Sequence, residues 1–305
     1  MLSVQNKLNY PAVRVKLAGG IRGIAALTDS AGRVLSKDDW IACLSEQGEF
    51  ERNPQEVLKQ DGSESVIVKT LKVGSARINA IVKTRLEKNY CDGLWSCMWA
   101  HRALRNFRKA VLLKNAGITA EIPLAALWEK KQSFTKKSIY ITEYVSDSAS
   151  LHWFAKRDLP TLTDLPAVKK YLAHQLAGCL ADLHCNGLWH RDAKPSNILV
   201  HKDQDGRYKL TLIDLDGIKP YCGLRTFSRR FRPFAHLAAL RLVSPLIYRT
   251  DCLRTFKIYC NLTGVGKAVR KRFFRRLVNG LTEKRISALK SKGRIGTDIA
   301  PAVRQ

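Results

Sequence analysis

The residues whose types and order could do chemistry stand together at 189–200. They read Trp189-His190-Arg191-Asp192-Ala193-Lys194-Pro195-Ser196-Asn197-Ile198-Leu199-Val200, the form H-R-D-x-K-x-x-N followed by an apolar run. A second acidic group, Leu212-Ile213-Asp214-Leu215-Asp216-Gly217, follows just downstream. Phosphoryl transfer asks for a carboxylate that orients or deprotonates a hydroxyl, and for oxygen ligands to the magnesium ions on a nucleotide. Asp192 suits the first task; Asn197 and Asp214 suit the second. Lys194, two residues past Asp192, can reach the transferring phosphate as a point charge. His190 and Arg191 read as scaffold, an imidazole packed under the loop and a guanidinium pairing nearby carboxylates. Asp216 stands evenly between a second metal contact and a plain loop residue. The order and spacing match the kinase catalytic loop and its magnesium-binding Asp, so ATP and Mg2+ are the expected cofactors. The bland alternative, a surface loop of solvated charges, needs too many independent coincidences.

Such a loop must be delivered by regular elements, and the flanking sequence supplies them. Asp164 and Pro166 open a helix over 167–185 in which Val168, Leu172, Leu176, Leu180 and Leu183 recur at helical spacing, and Asn186-Gly187 ends it. Upstream, 56–59, 66–73 and 78–83 read as three antiparallel strands joined by turns at 60–63 and 74–75. In that arrangement Gly62 lies in the loop over the nucleotide phosphates, one glycine where protein kinases carry three. Lys83 after Ala80-Ile81-Val82 echoes the V-A-I-K strand whose Lys contacts the α- and β-phosphates. Lys69 is its rival; Lys83 is preferred because it leaves room for two strands before it. A helix over 95–116, stopped by Gly117, stands where a kinase carries the Glu that pairs with this Lys. No Glu lies between Asn89 and Gly117. Either Asp92 or a residue outside the helix is therefore the partner, or the pairing is replaced altogether. The basic residues of this helix read as a solvated face.

Residues 122–128 and 138–145 read as the last two strands. Glu143-Tyr144-Val145 would be the hinge, offering backbone groups of Glu143 and Val145 to adenine. The expected fold is α+β and two-lobed, protein-kinase-like, with a small antiparallel-sheet N-lobe over 51–145 and a larger helical C-lobe over 146–305. Residues 1–50 form an extension of unassigned role. Within it, Gly19-Gly20-Ile21-Arg22-Gly23 reads as a turn rather than a phosphate loop. Ser36-Lys37-Asp38-Asp39-Trp40 reads as the capped start of a short helix.

Composition narrows the partner. Against 26 Asp plus Glu the chain carries 53 Lys plus Arg, a net charge of +27, which points to an anionic partner or surface. Residues 224–305 hold 20 of those cations against Asp251, Glu283 and Asp298 alone. At an acidic membrane each near-surface Lys or Arg contributes roughly 1 kcal/mol, so partial use of this lobe would hold the protein there. Protein kinases end their activation segment in A-P-E; no A-P-E occurs here, which turns the reading toward an acceptor already anionic. No recognised nucleic-acid module or interleaved aromatic platform is present, which argues against nucleic acid. The eight cysteines form no C-x-x-C pair, and Cys179 and Cys185 read as buried thiols, in keeping with a reducing cytosol. No signal-peptide core and no run of about 18 apolar residues appears, so the expectation is a soluble or peripheral protein.

These features resemble the bacterial lipopolysaccharide core kinases, the Kdo/heptose kinase family. The resemblance spans roughly 50–280 and rests on Val82-Lys83, on Arg102-Ala103-Leu104-Arg105-Asn106 through Gly117-Ile118-Thr119-Ala120-Glu121-Ile122-Pro123-Leu124-Ala125, and on Ile141-Thr142-Glu143-Tyr144. It also takes in the H-R-D loop, Ile213-Asp214-Leu215-Asp216, and Arg249-Thr250-Asp251-Cys252-Leu253-Arg254. It implies ATP-dependent phosphorylation of an inner-core sugar on a lipid A-linked saccharide, at the cytoplasmic face of the inner membrane. A kinase for another small molecule or for protein Ser/Thr, and a basic pseudokinase scaffold, stand as the alternatives.

Overall fold

Strict alternation is what makes the middle of the first half a sheet. Along Ala76–Leu86, Ala76, Ile78, Ala80, Val82 and Thr84 are buried while their neighbours are not, a period of two that only a strand provides. The computed structural model describes residues 10–17, 20–46, 54–86, 101–131, 134–220 and 231–278. The chain divides into two compact units, Met1–Asn115 with Ala120–Val145, and Ala116–Thr119 with Ser146–Gln305.

The first unit is a seven-stranded antiparallel sheet. Its strands are β1 (Ala12–Lys16), β2 (Ile21–Ala26), β3 (Glu56–Asp61), β4 (Glu64–Val73), β5 (Ala76–Leu86), β6 (Pro123–Lys131) and β7 (Phe134–Glu143), in the spatial order β1-β2-β6-β7-β5-β4-β3. Helix α1 (Lys37–Glu46) covers one face, with Trp40, Cys43 and Leu44 packed among Ile67, Leu71, Ile78, Val82 and Leu127. Its N-terminus is closed as Ser36 predicts: Ser36 Oγ accepts from Asp39 N–H at 3.0 Å. Trp40 buries its ring completely and donates its Nε1–H to Ala26 O at 2.6 Å. Helix α2 (Arg102–Asn115) covers the other face, where Ala103, Phe107 and Val111 meet Ala126 and Tyr140. The described residues before 47 thus contribute strands and core to this sheet, a content their sequence did not announce.

The second unit is built on α3 (Leu165–Cys185). Asp164 caps it by accepting from Ala167 N–H at 3.2 Å, Pro166 sits in the first turn, and Gly187 follows at φ 68°. Its buried face is Leu172, Leu176, Leu180 and Leu183, at the spacing read from the sequence. Two short sheets follow. One pairs β8 (Ala149–Ser150), β10 (Ile198–Lys202) and β11 (Tyr208–Leu212); the other pairs β9 (Leu188–His190) with β12 (Ile218–Pro220). Helices α4 (Arg232–Ala238), α5 (Arg249–Leu262) and α6 (Lys267–Val278) complete the unit. α5 is locked to α3 at both ends. Lys169 Nζ lies 2.8 Å from Asp251 Oδ2, and His184 Nδ1 lies 2.7 Å from Tyr259 Oη. The thiols depart from expectation in one respect: Cys185, at the last position of α3, is exposed, and Cys179 is only partly covered. Cys91, Cys97 and Cys222, with Asp92 and the helix start at Trp95, lie outside the described residues.

Candidate active site

The H-R-D loop leaves β9 and is folded back on the acidic turn that precedes β12. Ile218 pairs with His190, and Arg191 N–H donates to Gly217 O at 2.8 Å, so the two motifs share one small sheet. His190 is 1% exposed, and its Nδ1 accepts the backbone N–H of Asp192 at 3.1 Å. That bond sets the direction of the loop at Asp192, the scaffold role expected of the imidazole. Gly217 is there for space. A Cβ on it would stand 2.6 Å from His190 Cε1 and 2.8 Å from Nδ1.

Asn197 is the knot of the loop. It is 4% exposed; its Nδ2 donates to Asp192 O at 2.9 Å and lies 3.4 Å from Asp214 Oδ2. Its backbone carbonyl accepts from Ile213 N–H at 3.0 Å. Asp192, Asn197 and Asp214 are therefore brought together although 22 positions of chain separate the first from the last. Asp214 adopts φ 59° and ψ 60°, a left-handed conformation that a non-glycine residue holds at some cost and that Asp tolerates better than most. Arg191 Nε lies 2.8 Å from Asp192 Oδ2, and this bond, ahead of the more distant Asp216 and Asp214, pushes the guanidinium pKa up. Lys194 sits at the turn between them, its N–H donating to Asp192 O at 2.7 Å. Asp216 lies in the short 3-10 turn Leu215–Gly217.

The donor set can be tested for magnesium. Among the described residues no group of three or more His, Cys, Asp and Glu side chains gathers to hold a metal unaided. Magnesium does not need one. It prefers oxygen ligands and is bound through one or two carboxylates with substrate phosphates and water filling the octahedron. Asn197, whose amide nitrogen is spent on Asp192 and Asp214, has its Oδ1 for such an ion beside the Asp214 carboxylate. The residues fit.

In the first unit the two lysines left open by the sequence fall on opposite faces of the sheet. Lys69 pairs with Ala80, whose side chain belongs to the core under α1. Lys83 pairs with Val66 on one side and Tyr140 on the other, and Tyr140 belongs to the core under α2. On that face Lys83 Nζ meets Glu121 Oε2 at 2.6 Å. Glu121 is a residue outside the helix, the alternative the sequence left open without naming it. Its signal was an acid set between Ala120 and the wholly apolar start of β6.

Gly62 sits at the β3–β4 turn, where Asp61 Oδ1 accepts from Ser63 N–H at 3.2 Å and Glu64 N–H at 3.3 Å. The Ser63 bond first, and then the Lys59 ammonium 3.3 Å from Oδ2, hold the Asp61 carboxyl below its usual range. Ser63 O accepts from Leu86 N–H at 2.8 Å, which keeps this turn at the end of β5. At the close of β7, Glu143 N–H donates to Ile122 O at 2.9 Å and Tyr144 N–H to Asn79 O at 2.8 Å. The Glu143 side chain is occupied by Ser30, whose Oγ donates to Oε1 at 2.5 Å. Val145 is the last residue of this unit.

With that geometry in hand, comparison with known proteins is decisive at the level of family. Residues 68–243, more than half the chain, match the lipopolysaccharide kinase (Kdo/WaaP) family. The chain belongs to that family. It is a kinase, and it carries the kinase-like α+β fold. Among solved structures it is similar to WaaP in complex with acyl carrier protein, at 18% identity and a TM-score of 0.53, over 79% of this chain and 91% of that one. At such identity the likeness speaks for the fold. No curated protein matches the sequence. Among the described residues of this lipopolysaccharide-kinase family member, no helix is long and apolar enough to cross a membrane.

Proposed function

We propose that this protein transfers the γ-phosphate of ATP to a sugar hydroxyl, on Kdo or heptose, of the lipid A-linked inner core. Asp192 accepts the hydrogen bond of the acceptor hydroxyl and, late in the transfer, its proton. Lys194 supplies positive charge to the phosphoryl oxygens. Asn197 and Asp214 would hold magnesium, which when bound would offset the charge of the nucleotide phosphates. Lys83 holds the α- and β-phosphates, the Gly62 turn lies over them, and backbone groups of Glu143 and Val145 receive adenine. Positioning and preorganised charge supply the acceleration, since phosphoryl transfer leaves little covalent work to the protein.

The observation that carries this reading is Asn197, which donates to Asp192 O and faces Asp214 Oδ2 from a buried position. Charge supports the acceptor class. A protein of net charge +27 whose residues 224–305 contain only three acids suits an anionic glycolipid and the anionic membrane leaflet that holds it. On this reading it works peripherally at the cytoplasmic face of the inner membrane. The test is to incubate the purified protein with γ-labelled ATP and, separately, lipid A-core saccharide, aminoglycosides and generic protein. Label is expected in the core saccharide alone. Label in protein or aminoglycoside with none in the saccharide overturns the acceptor assignment.

A further inference from the structure

Burying a carboxylate is costly unless a partner compensates it, and Glu121 is 3% exposed. One oxygen is compensated by Lys83 at 2.6 Å. The other, Oε1, is buried with no hydrogen-bond partner among the described residues. Beside the pair stands Tyr140, in register with Lys83, its ring centroid 5.7 Å from Lys83 Nζ and its hydroxyl buried as well. Burial first, and the charge of Glu121 second, keep that hydroxyl from ionising. A buried acid paired with a lysine is weak evidence for stability, which turns attention to what the pair positions.

Kinase-like enzymes fix their nucleotide lysine with a carboxylate carried on the helix beside the sheet. Here α2, which fills that place, contains no acid between Arg102 and Asn115. The geometry points to Glu121, on the segment entering β6, as the positioning residue that fixes Lys83 toward the nucleotide phosphates in place of a helix-borne acid. This rests on the reading of Lys83 given above. The consequence is mechanical. Ile122 O accepts from Glu143 N–H, so the segment bearing Glu121 is bonded to the end of β7, and β7 pairs directly with β5 at Lys83. The Lys–Glu distance is set by sheet register, and α2 can shift without breaking it.

The test is kinetic. Phosphate transfer from γ-labelled ATP to lipid A-core saccharide is followed across MgATP concentrations for the wild type, Lys83→Ala, Glu121→Gln, Glu121→Asp and the Lys83→Ala/Glu121→Gln pair. Each variant is assayed well below its own melting midpoint. Glu121→Gln and Lys83→Ala are each expected to lower kcat by about 100-fold, the scale of losing one preorganised charge. The double variant should be no worse than Lys83→Ala within about threefold, because residues acting as a unit are not additive. Glu121→Asp, which keeps the charge and withdraws it by one methylene, should lower kcat with a melting midpoint close to wild type. Wild-type kcat in either Glu121 variant, or losses that multiply in the double, overturns the proposal while leaving Lys83 in place. Wild-type kcat in Lys83→Ala overturns the reading of Lys83 itself.

Discussion

The imidazole of His190 takes the backbone N–H of Asp192 on Nδ1 at 3.1 Å and fills the space a side chain on Gly217 would need. The H-R-D loop and the acidic turn are thus fitted face to face, with no room for a Cβ at 217. Gly217→Ala should force the ring or the loop to move. Overpacking of this kind costs about 1–3 kcal/mol. The predicted result is a lower melting midpoint together with a fall in kcat larger than the change in KM for MgATP, read by thermal melts and steady-state kinetics.

Removing the charge of Asp192 tests the base assignment. Asp192→Asn keeps the side-chain shape, and the Asn197 contact runs to the backbone carbonyl at 192, which the substitution does not touch. General-base contributions are on the order of 10²–10⁴ in rate. We expect kcat to fall within that range while the affinity for a fluorescent ADP–magnesium complex stays within about threefold of wild type.

Asp251 tests how the second unit is held together. It joins Lys169 at 2.8 Å, accepts from Tyr248 N–H at 2.9 Å at the start of α5, and takes Arg254 Nη1 at 2.9 Å. Lys169 and Asp251 side chains are only 11% and 12% exposed, so breaking the pair strands a covered ammonium. Asp251→Ala is predicted to destabilise by about 3–5 kcal/mol, measured by denaturant unfolding. The exposed pair Arg157–Asp158 should contribute less than about 1 kcal/mol when broken the same way.

Stability at alkaline pH should depend on Tyr10. Burial, then the charges of Glu143 and Asp29, push its hydroxyl up to about 12 from 10.0. An acid whose folded pKa is raised stays protonated when the unfolded chain would release its proton. Its contribution is complete below pH 10 and is lost as pH rises from 10 toward 12. Tyr10→Phe removes that dependence, so its melting midpoint should fall less steeply than wild type across this window. Equal slopes would contradict the assignment.

Much of this was legible in the sequence, for reasons that differ by element. β5 announced itself because Ala76, Ile78, Ala80, Val82 and Thr84 are buried at every second position, and β4 by the β-branched run Val66-Ile67-Val68 before it. α3 was legible at both ends because Asp164, Pro166 and Gly187 do local jobs that only certain residue types can do. β1 and β2 were not legible, because a hairpin at the far edge of the sheet has short strands, and the glycines around it read only as turn. The place of β2 beside β6 is a pairing over about a hundred residues, and nothing local encodes it. Glu121 was hidden for the same reason. Its partner Lys83 lies 38 positions away, and no local pattern ties the two together. Cys185 was misread because the final turn of a buried helix still has a wet side.

The central claim is that Asp192, held beside Asn197 and Asp214, takes the proton of an inner-core hydroxyl as ATP phosphorylates it. Mass spectrometry of outer-membrane glycolipid from cells carrying the wild-type gene, no gene, or Asp192→Ala tests it most directly. The account predicts that one core phosphate present with the wild type is missing in the other two. An unchanged phosphate count in all three, with the Asp192→Ala protein folded and present, would contradict it.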